Sequence, residues 1–276
     1  VKKAALVITT YNNPKYLGLC LSSFSNQTSH DFDIFVADDG SKEDTRAKIE
    51  ELRPTLGRPL QHFWQPDTGY NKSAINNEVF RKLGSYDVVI CVDHDIIAHH
   101  RFIEDHLAAH AGGSRVVFMG RRVELGPDLT ARINEENVTS FNSRPGARLL
   151  WSALKGDTLR ASRAFRIGST TLRSLLGRDR VADLLGSNFS VSRELLYEVN
   201  GYNEDYKAYW GEDGDLFIRL RNTGAELKGS KSLAIQFHLD HKRLEPSAEN
   251  QRRYAELLSN REYRRCENGI VKSAKA

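Results

Sequence analysis

The chain has 276 residues, 39% hydrophobic and 28% charged, a globular balance that excludes wholesale disorder and supplies one large core or two modest ones. Its formal charge of +4, from 40 basic and 36 acidic side chains, is too slight to mark a nucleic-acid binder, and the basic excess is local. Three scattered cysteines, Cys20, Cys91 and Cys266, form neither a disulfide framework nor a CxxC knuckle, and no apolar run reaches the ~18 residues that span a bilayer.

Ala4 to Thr9 is an apolar, β-branched run that predicts a buried strand, and Pro14 opens a helix with Leu17, Leu21 and Phe24 on one face. Asp33 to Ala37 is a second strand ending in the turn Asp38-Asp39-Gly40-Ser41, followed by a charged helix from about Lys42 to Leu52. Pro59 to Gln65 predicts a third strand, Ser73 to Leu83 a third helix, and Tyr86 to Val92 a strand apolar enough for the centre of a parallel sheet. Strands alternating with helices imply βαβ units in an open twisted sheet, whose ligands bind at the carboxyl ends of the strands. Thr9-Thr10-Tyr11-Asn12, Asp38-Asp39 and Asp93-His94-Asp95 all fall at such ends.

Beyond Ile97 a helix (Arg101 to Ala111) and a strand (Arg115 to Met119) precede a long polar stretch with no assignable elements. Its Arg144 to Arg180 portion carries nine basic side chains against two acidic ones. Order returns near Leu184, with a strand over Gly186 to Val191 and a helix over Arg193 to Val199. Tyr209-Trp210-Gly211-Glu212-Asp213 then leads into a helix through Leu216 and Leu220, and Ser232 to Phe237 predicts a strand ending at His238. Residues 246–276 read as a charged helical tail with an apolar stripe of Tyr254, Leu257 and Leu258.

Each polar group has a plain structural explanation when taken alone. Asp-x-Asp can cap the following helix, Asn-Pro and Asp-Gly are turn formers, and a carboxylate suits a helix N-terminus. The functional reading needs them together. Asp93 and Asp95 would converge on a divalent cation bridging a nucleotide diphosphate, and Glu212-Asp213 would hold and deprotonate an acceptor hydroxyl. His238 and His241 form a His-x-x-His pair with no cysteine or third histidine nearby, which argues against an independent zinc site and leaves His238 as a third ligand beside Asp93 and Asp95.

In this order the segments resemble the family 2 glycosyltransferases of GT-A fold, over most of the chain up to about Arg243. VITTYNNPKYLGLCLSSFSNQT is similar to that family's first strand and helix, FVADDGS to its base-binding turn, GYNKSAINN to a helix start, and CVDHD to its DXD motif. GSNFSVSRELLYEVNGYNEDYKAYWGEDGDLFIRL is similar to the galactosyltransferase-type acceptor half, although Trp210-Gly211 meets Glu212-Asp213 one residue sooner than in the longer form. The resemblance implies a Rossmann-like mixed sheet flanked by helices. It divides residues 1–245 into a nucleotide-sugar half (1–98) and an acceptor half (99–245). It further implies that Thr9, Tyr11 and Asp39 hold the base of a UDP-sugar, with Asn12 also at the nucleotide-sugar and Asp38 supporting the turn. Lys72 and Asn76 would sit near the diphosphate. Asp93 would touch ribose and metal, and Asp95 and His238 would complete a Mn²⁺ or Mg²⁺ site. Asp213 would be the base of an inverting transfer, with Glu212, Asn188 and Trp210 holding a glycan or lipid-linked saccharide acceptor.

The basic stretch is either a solvated face or mobile loop, or a segment that orders on substrate or rests against an anionic membrane. The cysteine pattern points to a reducing compartment and so to a cytoplasmic protein, one that such a contact would make peripheral to the inner face. A sugar nucleotidyltransferase competes poorly, because the loop after the first strand has no glycine. A non-catalytic saccharide- or nucleotide-binding module is the other alternative.

Overall fold

The computed structural model describes residues 2–181 and 186–272. Leu184, where order was expected to return, and the last four residues of the tail lie outside them. Ten strands are present among the described residues: β1 (Ala4–Thr10), β2 (Phe32–Asp38), β3 (Leu60–Trp64), β4 (Val88–Asp93), β5 (Ile96–Ala98), β6 (Val116–Met119), β7 (Arg122–Glu124), β8 (Phe189–Ser192), β9 (Glu226–Gly229) and β10 (Gln236–His238). The α-helices are α1 (Pro14–Ser23), α2 (Glu43–Leu52), α3 (Lys72–Phe80), α4 (Phe102–Ala109), α5 (Pro127–Ala131), α6 (Val138–Ser143), α7 (Gly146–Leu154), α8 (Thr170–Leu175), α9 (Arg193–Glu198), α10 (Glu212–Asn222) and α11 (Ala248–Leu257).

Seven strands form one sheet in the order β3-β2-β1-β4-β8-β6-β9. β3, β2, β1 and β4 run parallel, while β8 is antiparallel to both β4 and β6. Alternate residues of β1 enter different cores, Leu6 and Ile8 on one face and Ala5 and Val7 on the other. Burial on both faces is why these strands read as continuous apolar runs. A smaller sheet, β5-β10-β7, carries a third core that includes Ile97, Val123 and Phe237.

The structure revises several expected elements. The strand placed at Ser232 to Phe237 is confined to Gln236–His238, and the one placed at Gly186 to Val191 begins only at Phe189. β5, β7 and β9 are additional. The basic stretch contains α7 and α8, and three of its arginines pair with carboxylates of the chain: Arg160 with Glu124, Arg166 with Asp105 and Arg173 with Asp179. Among its described residues the tail is helical only over α11. Beyond it the chain returns to the body, where the Asn200 side-chain amide donates to the carbonyls of Cys266 and Val271.

Candidate active site

The parallel strands end level with one another, with Thr10 opposite Asp38 and Thr9 opposite Asp93. The loops leaving them enclose a cleft of about 420 Å³ lined by Thr9, Tyr11, Asp39, Lys72, Asp93 and Asp95, among others. Asp39 accepts from the Gln65 side chain at 2.6 Å and the Asn71 N–H at 2.8 Å, while burial pushes its pKa up. Tyr11 is exposed, and its hydroxyl donates to Asp67 at 2.9 Å. Asn12 ties two loops together: its N–H donates to Ser41 Oγ at 2.7 Å and its Oδ1 accepts from the Lys42 N–H at 3.1 Å.

Asp38 and Asn76 make their polar contacts within the protein. Neighbouring residues at a strand end point to opposite sides, so only one of Asp38 and Asp39 can face the cleft. Asp38 is fully buried, accepting from the Ser41 N–H and lying 2.9 Å from His62 Nε2. Asn76 lies one turn into α3, where its amide donates to the Lys72 carbonyl and to Thr9 Oγ1.

Lys72 gathers three carboxylates. Its Nζ is 3.3 Å from Asp93 Oδ1, 3.4 Å from Glu212 Oε1 and 3.4 Å from Asp213 Oδ2. Burial alone would lower its pKa, but Asp213, Asp93 and Glu212 override that and hold it well above the ordinary lysine value. Burial and the neighbouring Asp213 push Glu212 up to about 7, against the pull of Lys72. Glu212 accepts from the Tyr70 hydroxyl at 2.9 Å, and its other oxygen has no hydrogen-bond partner. Asp213 accepts from the Tyr202 hydroxyl at 2.8 Å. It is the more open of the pair, its side chain 24% exposed against 3% for Glu212. Gly186 packs on it so tightly that a Cβ would fall 1.7 Å from Asp213 Oδ2. Just before them, Trp210 and Gly211 are both left-handed (φ 83° and 104°), and Trp210 packs edge-on against Tyr254.

The small sheet builds a second cluster beside the first. β10 sets His238 opposite Ile96 and Glu124, so the imidazole meets Asp95 at the start of β5. Asp95 Oδ2 lies 2.8 Å from His241 Nε2 and 3.4 Å from His238 Nε2, and the ligand atoms of all three side chains fall within 4.8 Å of one another. Burial pushes the Asp95 carboxyl up, but hydrogen bonds from His238 and His241 outweigh it and hold the group well below its usual range. The same contact with Asp95 raises His241. Glu124 stands 3.4 Å from His238 Nδ1 and is itself held by Arg122, Arg160 and Arg243.

This donor set fits a divalent cation. Asp95 Oδ1 is buried with no hydrogen-bond partner, and one carboxylate with two imidazoles suits a transition ion such as Mn²⁺ better than Mg²⁺, which prefers oxygen alone. Asp93 turns toward Lys72 and is not part of the three-ligand group, whereas His241 is. The His-x-x-His spacing was the available signal for His241, and only the return of β10 beside Asp95 gives it meaning. Asn188, expected in the acceptor pocket, is fully buried; its side chain bonds the Ala234 carbonyl at 2.8 Å and faces His106 at 3.2 Å. Tyr70 and Tyr202, which hold Glu212 and Asp213, carried no sequence signal. Behind His238 and His241 a larger groove of about 1110 Å³ runs past Glu124 to Lys155, Asp157 and Arg160.

Comparison with known proteins identifies the family and the fold. The model of glycosyl transferase family 2 matches residues 5–198, and that of the N-terminal domain of galactosyltransferase matches residues 166–242. The chain is 23% identical over 247 residues to a chondroitin synthase of Escherichia coli, covering 85% of this chain and 34% of that protein. It is 26% identical over 232 residues to validoxylamine A glucosyltransferase of Streptomyces hygroscopicus subsp. jinggangensis, covering 82% and 53%. A hyaluronan synthase of Pasteurella multocida is 24% identical over 228 residues, covering 81% of this chain and 23% of that protein. The chain thus spans from about a quarter to about half the length of these relatives. The crystal structure of GalNAc-T7 with UDP, GalNAc and Mn²⁺ superposes with a TM-score of 0.68 at 14% identity, covering 95% of this chain and 49% of that one. With a GT-A sheet whose strand ends carry these residues, and a family match over most of its length, the chain belongs to glycosyl transferase family 2.

Proposed function

We propose that this chain transfers a hexosyl group of the Gal, GalNAc or Glc type from a UDP-sugar to a saccharide hydroxyl, with inversion. Surface polysaccharide or glycolipid is the proposed product. The observation that carries the reading is that one cleft at the strand ends is lined by Asp95 and His241 of the metal-fitting group, which His238 completes, and by Lys72, whose ammonium lies 3.4 Å from both Glu212 and Asp213. The UDP and Mn²⁺ in the GalNAc-T7 structure, and the polysaccharide synthases among the relatives, support the choice of donor and product.

Asp39 and Tyr11 would hold the base, with Thr9 beside them. A divalent ion on Asp95, His238 and His241 would offset the charge of the diphosphate and aid its departure. Lys72 would add a buried positive charge on the same side of the cleft, stabilising negative charge as it develops on the leaving group. Asp213, the more exposed of the two carboxylates and oriented by Tyr202, would take the acceptor proton as its oxygen attacks C1 from the face opposite the nucleotide. Glu212 and Trp210 would position the acceptor. Cytoplasmic placement is part of the proposal, in keeping with three cysteines that are free, buried thiols. No helix among the described residues is long and apolar enough to cross a membrane.

Calorimetry with UDP, GDP and dTDP, each with Mn²⁺ and with EDTA, tests this on wild type and Asp95→Ala. Metal-dependent UDP binding that Asp95→Ala abolishes is the expected result. Absence of nucleotide binding under every condition would overturn the reading.

A further inference from the structure

We infer that α7 docks this protein onto an anionic bilayer, setting the long groove against the membrane so that a lipid-linked acceptor can enter it. The docking stands on the surface itself; its use for an acceptor rests on the transferase reading.

On α7, Ala147, Leu150, Trp151 and Leu154 fall at i, i+3, i+4 and i+7, which is one side of a helix. That side faces outward: Leu150 is 58% exposed, Trp151 60% and Leu154 73%, while Leu149 and Ser152 are buried. A surface helix ordinarily turns its apolar stripe to the core, so this one is inverted. Arg144, Arg148 and Lys155 flank the stripe, all three exposed, with the Lys155 ammonium 5.1 Å from the Trp151 ring. None of the three pairs with a carboxylate among the described residues. The nearby Asp157 turns inward, accepting from the N–H groups of Asp128 and Leu129 and from the Ser152 hydroxyl. On α8, Leu172 and Leu175 are exposed in the same way, while Arg173 is turned in on Asp179.

An apolar stripe with one tryptophan and flanking arginine and lysine is the chemistry of a helix lying in a membrane interface, apolar groups in the acyl boundary and cations among anionic headgroups. A second copy of the same face fits badly, because a two-fold contact would set these unpaired cations against their own equivalents with no acid between them. Beside Trp151 a cavity of about 330 Å³ adds Arg132 to Arg148 and Lys155, with Asp128 on its rim. Lys155, Asp157 and Asp128 also line the groove that reaches His238 and His241. The C-terminal end of α7 therefore joins the docking face to the candidate active site.

The test is co-sedimentation of the whole chain with phosphatidylcholine vesicles, with and without phosphatidylglycerol. It is run at low and high salt on wild type, Leu150→Ser/Leu154→Ser and Arg144→Ala/Arg148→Ala, with UDP–Mn²⁺ binding measured in parallel. Wild type is expected to bind the phosphatidylglycerol vesicles in a salt-sensitive way. Each double variant should lose at least about tenfold in that binding while keeping its nucleotide affinity. Vesicle binding without nucleotide binding would uphold the docking and sink the transferase reading. No vesicle binding, binding indifferent to lipid charge, or a dimer in light scattering that Leu150→Ser/Leu154→Ser dissociates would each overturn the docking.

Discussion

Glu212 and Asp213 are adjacent in sequence and share Lys72, yet their surroundings differ. The helix start turns Glu212 inward onto Tyr70, where burial favours its neutral form, and leaves Asp213 partly exposed. Under the proposed mechanism Asp213→Asn should cut kcat by about 10²- to 10⁴-fold, the usual contribution of a general base. Glu212→Gln keeps the shape and the contact with Tyr70, so its effect should appear mainly as a raised KM for the acceptor. Steady-state kinetics on both variants decides the matter; a severe kcat loss in Glu212→Gln alongside a near-normal Asp213→Asn would reverse the assignment. Adjacent acids look alike in a sequence, and so do Asp38 and Asp39. Which of each pair faces the ligand depends on side-chain direction at a strand or helix end, which composition and spacing do not encode. Asp95 and His241 show the same gap over a longer distance, since their contact exists only because β10 returns beside β5.

Helix α11 illustrates how a peripheral element can govern a central one. Ser247 caps it by accepting from the Asn250 N–H, and the buried Asn250 side chain then donates to the carbonyls of Ala208 and Trp210, each at 2.8 Å. One amide thus fixes the loop in which Trp210 adopts a left-handed backbone, a conformation that costs a non-glycine residue about 1–3 kcal/mol. Asn250→Ala should lower stability by about 1–3 kcal/mol through two orphaned carbonyls. It should also depress kcat more than it weakens UDP–Mn²⁺ binding, because of the residues that line the donor cleft only Tyr209 lies in that loop. Thermal denaturation and kinetics check both halves, and unchanged kcat would show that the loop holds itself. The larger elements were legible: β1, β2 and β4 are buried on both faces and declare themselves as apolar runs, and α1 announces its start with Pro14. β5, β7 and β9 were not, because three- or four-residue strands owe their existence to pairing partners distant in sequence. The stripe on α7 escaped notice for the opposite reason. Its period is helical, but the arginines around it drew the reading, and nothing in a sequence says which way a helix faces.

The fold as a whole carries a pH sensitivity unrelated to the cleft. Burial lowers His99, His106 and His110 to about 3, with His106 and His110 both bonded to Ser190 Oγ between α4 and the main sheet. An unfolded histidine titrates near 6.5, so below that pH the unfolded chain takes up protons that the folded one refuses. Stability is therefore full above about pH 6.5 and falls as the pH drops toward 3, by up to about 1.4 kcal/mol per pH unit for each histidine. Melting temperatures measured between pH 7.5 and 5 should fall on the acid side, and His106→Asn should flatten the slope; a flat profile in wild type would mean that these histidines are hydrated in solution. The three-stranded sheet has another consequence, one of timing. β5 and β7 are complete by residue 124, but β10, the strand that lies between them, arrives only at residues 236–238. During synthesis on the ribosome both early strands wait with open edges for more than a hundred residues, exposed to pairing with other nascent chains. Asp95 and Glu124 wait with them for His238, so the ability to capture a metal ion would report that the last strand has been threaded home.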